Sequence, residues 1–259
     1  MNFTDAKNEF EHYLDGYNRN NDKVRLKIIH TYGVVHDIEE ICHRMALSPE
    51  DTELAKIIAL LHDIGRFEQL KRFDSFEPAT MDHAAYGVQV LFEEGMIRRF
   101  VPENQWDDII RTAIALHSNF KLENISNPRT LLHARLIRDA DKLDNCRVKL
   151  EDDLLVFMGM SGEDIGAQVI TQKVYDTALS CQCIYSPDRI TKMDYWVSYV
   201  AYFYDIYFRA SFDIIEEHDY LNKIIDRIPY STPDTKAKME TIRTHLTEFI
   251  HHAPGYEWI

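Results

Sequence analysis

Apolar residues recur at intervals of three and four along most of the chain, while runs alternating with period two are scarce, so the pattern predicts helices nearly throughout. A first helix is expected from Thr4 to Gly16, burying Phe10, Tyr13 and Leu14, and a polar break follows at 18–22. A second runs from Lys23 to Met45, with Ile28, Ile29, Tyr32, Val35, His36 and Cys42 near one face, which turns His36 inward. Ser48-Pro49-Glu50-Asp51 supplies an N-cap, a proline at the first helical position and an S-x-x-D capping box. The helix it opens carries Leu54, Ile57, Ile58 and Leu61 on its buried face, reaches His62-Asp63 in its last turn and is stopped by Gly65. Phe67 to Thr80 is too charged for core and is expected as a connection at the rim of a site.

Further helices are expected from Met81 to about Glu94, from Asn104 to His117, and from Asn127-Pro128 through Asp144. Beyond Glu151 come a short apolar element to Met160, a helix from Ser161 to Gln182, a long one from Thr191 to Glu217, and a last one from Thr232-Pro233 to about His252. The aromatic residues of the 191–217 segment recur at helical spacing beside other apolar residues, and we read them as core rather than as a stacking platform. The expectation is one all-α domain over 1–259, with its chemistry in about 23–149 and a helical extension over about 152–252.

Composition narrows the function. At 259 residues, 45% hydrophobic and 12% aromatic, the chain is long enough for a substantial core. A formal charge of −14, from 43 acidic against 29 basic residues, argues against extended nucleic acid or an anionic membrane as partner and favours a small substrate. Cys42, Cys146, Cys181 and Cys183 contain no C-x-x-C pair and no dense framework, so a reduced, cytoplasmic setting is expected. No basic stretch followed by an apolar run opens the sequence, and no eighteen-residue apolar run occurs in it.

The inward or helix-terminal histidines and acids, in order, are His36, His62-Asp63, His83, His117 and Asp141. Their contexts are Leu61-His62-Asp63-Ile64-Gly65-Arg66, Asp82-His83-Ala84-Ala85-Tyr86-Gly87, Ala115-Leu116-His117-Ser118-Asn119 and Asp139-Ala140-Asp141-Lys142-Leu143-Asp144. This H…HD…H…H…D series resembles the HD-domain superfamily of metal-dependent phosphohydrolases, in its two-metal subset. The resemblance implies an HD-domain helical bundle with additional C-terminal helices. It implies a first metal held by His36, His62, Asp63 and Asp141, with Asp63 bridging to a second held by His83 and His117. Two carboxylates would leave two divalent ions with net positive charge for a bridging hydroxide and an anionic substrate. Nitrogen and oxygen donors without thiolate suit Fe, Mn, Co, Ni or Zn.

Asp144 lies one turn beyond Asp141, placed to orient a histidine ligand, whereas Asp139 is expected to face away and His133 to be structural. Beside Asp63 as the bridging catalytic group, Arg66 and Lys121 are candidate contacts for phosphoryl oxygens, with Arg138 and Lys142 weaker candidates. The expected activity is cleavage of a phosphoester or phosphoanhydride in a small phosphorylated molecule such as a nucleotide. Two alternatives stand beside it. One is a di-iron oxygenase resembling the inositol- and phosphonate-oxidising branch of the same fold, which a lysine at Lys121 also fits. The other is a noncatalytic ligand-binding module.

Overall fold

A computed structural model describes residues 1–77 and 79–255. Residue 78 of the predicted 67–80 connection and the last four residues of the predicted single domain lie outside the described residues. The described chain is helical, with no β-strand among the described residues, and it forms two compact units. One unit runs from Met1 to Asp144 and the second begins at Asn145. No helix among the described residues is long and apolar enough to cross a membrane.

The first unit opens with α1 (Phe3–Leu14), whose free amides at Thr4 and Asp5 are met by the Asn2 side chain. α1 buries Ala6, Phe10 and Leu14, and the Phe10 ring meets Phe67 edge-on with centroids 5.8 Å apart. α2 (Asp22–Arg44) packs along α3 (Pro49–Leu61), and the predicted Ser48 cap of α3 is present, with Ser48 Oγ accepting from the Asp51 amide at 3.1 Å. The buried face of α3 includes Leu54, Ile57, Ile58 and Leu61, as the periodicity implies.

Past Leu61 the structure departs from expectation. The chain turns at Asp63 (φ −105°, ψ 20°) and re-enters a helix at once, α4 (Ile64–Phe73). Gly65 therefore does not stop α3; it lies inside α4. A Cβ there would sit 2.1 Å from the His83 carbonyl oxygen and 2.9 Å from the Gly87 amide nitrogen, so glycine permits the backbones of α4 and α5 (His83–Val88) to touch. The first half of the predicted polar connection is likewise α4, and it buries Phe67, Gln69 and Leu70. A π-turn over Gln89–Glu93 and a short helix α6 (Ile97–Phe100) lead to α7 (Asp107–Leu116), which delivers His117 at its C-cap. Asn127 Oδ1 caps the amides of Arg129 and Thr130 at the start of α8 (Pro128–Glu151), within which the unit boundary falls.

The second unit contains α9 (Leu154–Phe157), α10 (Gly162–Gly166), α11 (Gln172–Leu179), α12 (Lys192–Ala201), α13 (Arg209–Glu217), α14 (Tyr220–Asp226) and α15 (Pro233–His252). Two predicted helices are thus each broken. The 161–182 segment opens between α10 and α11, where the Thr171 amide and hydroxyl both donate to the buried Asp194 carboxylate. The 191–217 segment breaks at a 3-10 turn over Tyr202–Asp205. Phe203 and Phe208 would point about 140° apart in an unbroken helix, yet both are buried, together with Trp196 and Phe212. These rings are core.

Candidate metal centre

Six side chains converge in the first unit as two groups: His30, His62 and Asp141, and Asp63, His83 and His117. α2 supplies His30, the α3–α4 turn His62 and Asp63, the first residue of α5 His83, the C-cap of α7 His117, and α8 Asp141. Consecutive helical residues point about 100° apart. The turn at Asp63 removes that obstacle, because only His62 keeps helical angles. Behind the turn, the Tyr13 hydroxyl donates to the Ile64 carbonyl at 3.0 Å and ties it to α1.

The ring orientations leave one nitrogen of each set histidine for a cation. Nδ1 of His62 donates to the Ala59 carbonyl at 2.7 Å and Nδ1 of His117 to the Ile114 carbonyl at 2.7 Å, which makes Nε2 the lone-pair nitrogen of each neutral ring. Nδ1 of His30 is 2.6 Å from Asp144 Oδ2. The Nε2 atom of His62 is buried without a hydrogen-bond partner, and that of His30 is buried 3.0 Å from Asp141 Oδ1. Nε2 of His83 and Nε2 of His117 face each other at 3.2 Å. Buried lone pairs converging in this way are what a cation satisfies.

Asp63 stands between the groups. Its Oδ2 is 3.5 Å from His62 Nε2 and 3.9 Å from His30 Nε2, while its Oδ1 is 3.3 Å from His83 Nε2 and 3.6 Å from His117 Nε2. Asp141 Oδ1 is 3.0 Å from His30 Nε2 and 3.9 Å from His62 Nε2. Bonds of roughly 2.1 Å at tetrahedral or octahedral angles set donor atoms about 3.0–3.4 Å apart, and these donors, at 3.0 to 3.9 Å, lie within a few tenths of an ångström of the spacing that transition-metal ions require. Burial pushes His62 and His83 down to about 4, keeping both neutral near pH 7. Burial opposes charge on Asp63, yet the Lys27 ammonium above all holds its carboxyl well below the usual carboxylate range. At His30, burial and Lys27 press the pKa down, but Asp141 and Asp144 raise it further, so this corner attracts positive charge.

Asp144 holds His30, the role expected of it toward a histidine. It can approach only because α2 carries glycine at Gly33, where a Cβ would lie 1.8 Å from Asp144 Oδ1. Gly33→Ala is therefore expected to displace the Asp144 carboxylate and lower Mn(II) affinity at the His30 group by about 10- to 100-fold, as measured by calorimetric titration. Arg138 has a comparable task. Its Nη1 donates to the carbonyls of Leu116, His117 and Asn119 at 3.1, 3.0 and 2.6 Å, closing the C-terminus of α7 behind His117. That nitrogen of Arg138, a weaker phosphate candidate in the sequence, is committed to the helix end.

His36, the residue expected at the first metal, is corrected to His30. Six residues apart on one helix, the two point about 120° from each other; His30 is 1% exposed and His36 is at the surface. Asp139, expected to face away from the site, is buried and is not one of the six convergent side chains, and His133 lies outside them too, its Nε2 3.1 Å from Asp51 Oδ1. Arg66 borders the site. Its Nε is buried without a hydrogen-bond partner 3.7 Å from Asp63 Oδ1, while Nη1 donates to Gln69 Oε1 at 2.6 Å and the Phe76 carbonyl at 3.2 Å. Lys121 is exposed on the loop after α7, its ammonium 6.0 Å from the Phe120 ring centroid. Among the described residues it makes no hydrogen bond or ion pair with the six convergent side chains. Lys27, which the sequence reading passed over, places Nζ 2.6 Å from Asp63 Oδ2.

In comparison with known proteins, the family model of the HD domain fits residues 28–146. No curated protein and no solved structure matches the chain.

Proposed function

From residue 28 to residue 146 this chain is an HD domain, a family of metal-dependent phosphohydrolases, and on that premise we propose that it cleaves a phosphoester or phosphoanhydride bond in a small phosphorylated molecule such as a nucleotide. The observation that carries the reading is the Asp63 carboxylate, which turns one oxygen to each of two buried histidine groups. His30, His62 and Asp141 would hold one divalent ion, His83 and His117 the other, and Asp63 both. When bound, such a pair supplies an activated water and stabilises charge on a phosphoryl group and its leaving oxygen.

The protein's own residues do the rest. Ala59 and Ile114 carbonyls fix the tautomers of His62 and His117, and Asp144 fixes the ring of His30. Burial keeps His62 and His83 free of protons that would compete for their lone pairs. Arg66, held by Gln69 and the Phe76 carbonyl, keeps a buried N–H edge beside Asp63, and we assign it to the phosphoryl oxygens.

The test is elemental analysis of protein purified anaerobically without chelators, joined to a phosphate-release screen over phosphomonoesters and nucleoside phosphates. Phosphate release is expected to proceed without dioxygen and to survive replacement of the native metal by Mn or Co. Oxygen uptake coupled to substrate loss, with no activity in the Mn-substituted protein, would overturn the hydrolase reading in favour of the oxygenase.

A further inference from the structure

We infer that Lys27 is an exchangeable partner of Asp63, paired with it while the site lacks metal and passed to the phosphoryl oxygens of the substrate once metal is loaded. This rests on the phosphohydrolase reading and adds to it a substrate-contact residue and a coupling between metal and phosphate.

Lys27 sits on α2 one turn before His30, with its side chain 13% exposed and Nζ 2.6 Å from Asp63 Oδ2. That oxygen is the one facing His30 and His62, so an ion at this group draws on the same lone pairs and the same negative charge as the ammonium. Two cations do not share one buried oxygen without strong repulsion. Loading the metal therefore displaces Lys27. A nearly buried ammonium that has lost its carboxylate needs another anion within reach of the same stem. Asp63 Oδ1 is directed to His83 and His117, and the Phe76 ring stands 6.0 Å from Nζ. The anion that a loaded phosphohydrolase brings to this position is the phosphoryl group. Lys27 and Arg66 then flank Asp63, from α2 and α4, with both cations turned toward it. Metal and phosphate become linked, because each relieves the conflict that the other creates.

The test uses the whole chain, Mn(II) and inorganic phosphate. Lys27→Met keeps the length of the stem and removes the charge. It should bind Mn(II) about tenfold more tightly than wild type in the absence of phosphate, and the Mn-loaded variant should bind phosphate about tenfold more weakly. A Lys27→Met protein that binds both ligands as wild type does would overturn the role of Lys27 while leaving the phosphohydrolase reading intact. A wild-type chain that binds no Mn(II), or that binds it but takes no phosphate, overturns both. The wild-type protein also tests the exchange without a substitution, through acetylation of Lys27 by acetic anhydride, read by mass spectrometry. Labelling should be slow without metal, faster with Mn(II) alone, and slow again with Mn(II) and phosphate. Equal labelling in the three states would contradict the exchange.

Discussion

Asp63→Ala is expected to strip both ions from the protein and to lower phosphate release by at least about a thousandfold. No other side chain of the cluster touches both groups at these distances: His62 lies 3.5 Å from one Asp63 oxygen, and His83 lies 3.3 Å from the other. Removing the carboxylate takes away one donor from each ion and one of the two negative charges among the six convergent side chains. His83→Ala, by contrast, removes a donor from one group only and should cost mainly one ion. Elemental analysis of the two variants, purified without chelators beside wild type, separates these outcomes. Full occupancy in Asp63→Ala would show that the carboxylate does not bridge.

The second large effect distinguishes two histidines on the same helix. His30→Ala should lose the ion held with His62 and Asp141 and reduce turnover by roughly a hundredfold or more, whereas His36→Ala should leave metal content and turnover near wild type. His30 is buried with Nε2 aimed at Asp141 and Asp63; His36 is on the surface. Metal content and kcat of the paired variants decide it. Loss of metal in His36→Ala with none in His30→Ala would reverse the assignment.

That pair also marks where the sequence stopped being legible. His62-Asp63, His83 and Asp141 each come with a local signal. Ser48 and Pro49 open the helix before the doublet, Asp82 caps the Ala85 amide beside His83, and Asn127 caps α8 ahead of Asp141. α2 is capped by Asn21, but the cap lies more than two turns before His30 and apolar residues on more than one face leave the inward face undecided. Ile28, Ile29 and Tyr32 suggest one inward face, while Val24, Thr31, Val34, Ile38 and Ile41 form another at spacings of seven, three, four and three. Packing against α3 selects the second, leaving Ile29 45% exposed and burying His30. Gly33 was the available clue, a glycine within one turn of His30 where the Asp144 carboxylate needs room.

Glycine misled in the opposite direction at Gly65. A glycine after a helical run signals a C-terminus, yet here its lack of a Cβ serves the contact with the His83 backbone, and the break comes two residues earlier at Asp63. The interruptions of the 161–182 and 191–217 helices were invisible for a related reason. Each is held by partners distant in sequence or by burial, Asp194 for Thr171 and the opposed rings Phe203 and Phe208 for the 3-10 turn. Lys27 was missed because a lysine on an amphipathic helix reads as a solvated residue until a carboxylate 36 positions away is found beside it.

The most direct measurement of the two-metal assignment is the anomalous scattering from crystals of the Mn(II)-loaded protein. Two peaks about 3.5 to 4 Å apart are predicted, one among His30, His62 and Asp141 and one between His83 and His117, with one Asp63 oxygen directed to each. A single peak, or two peaks that Asp63 does not join, would contradict it.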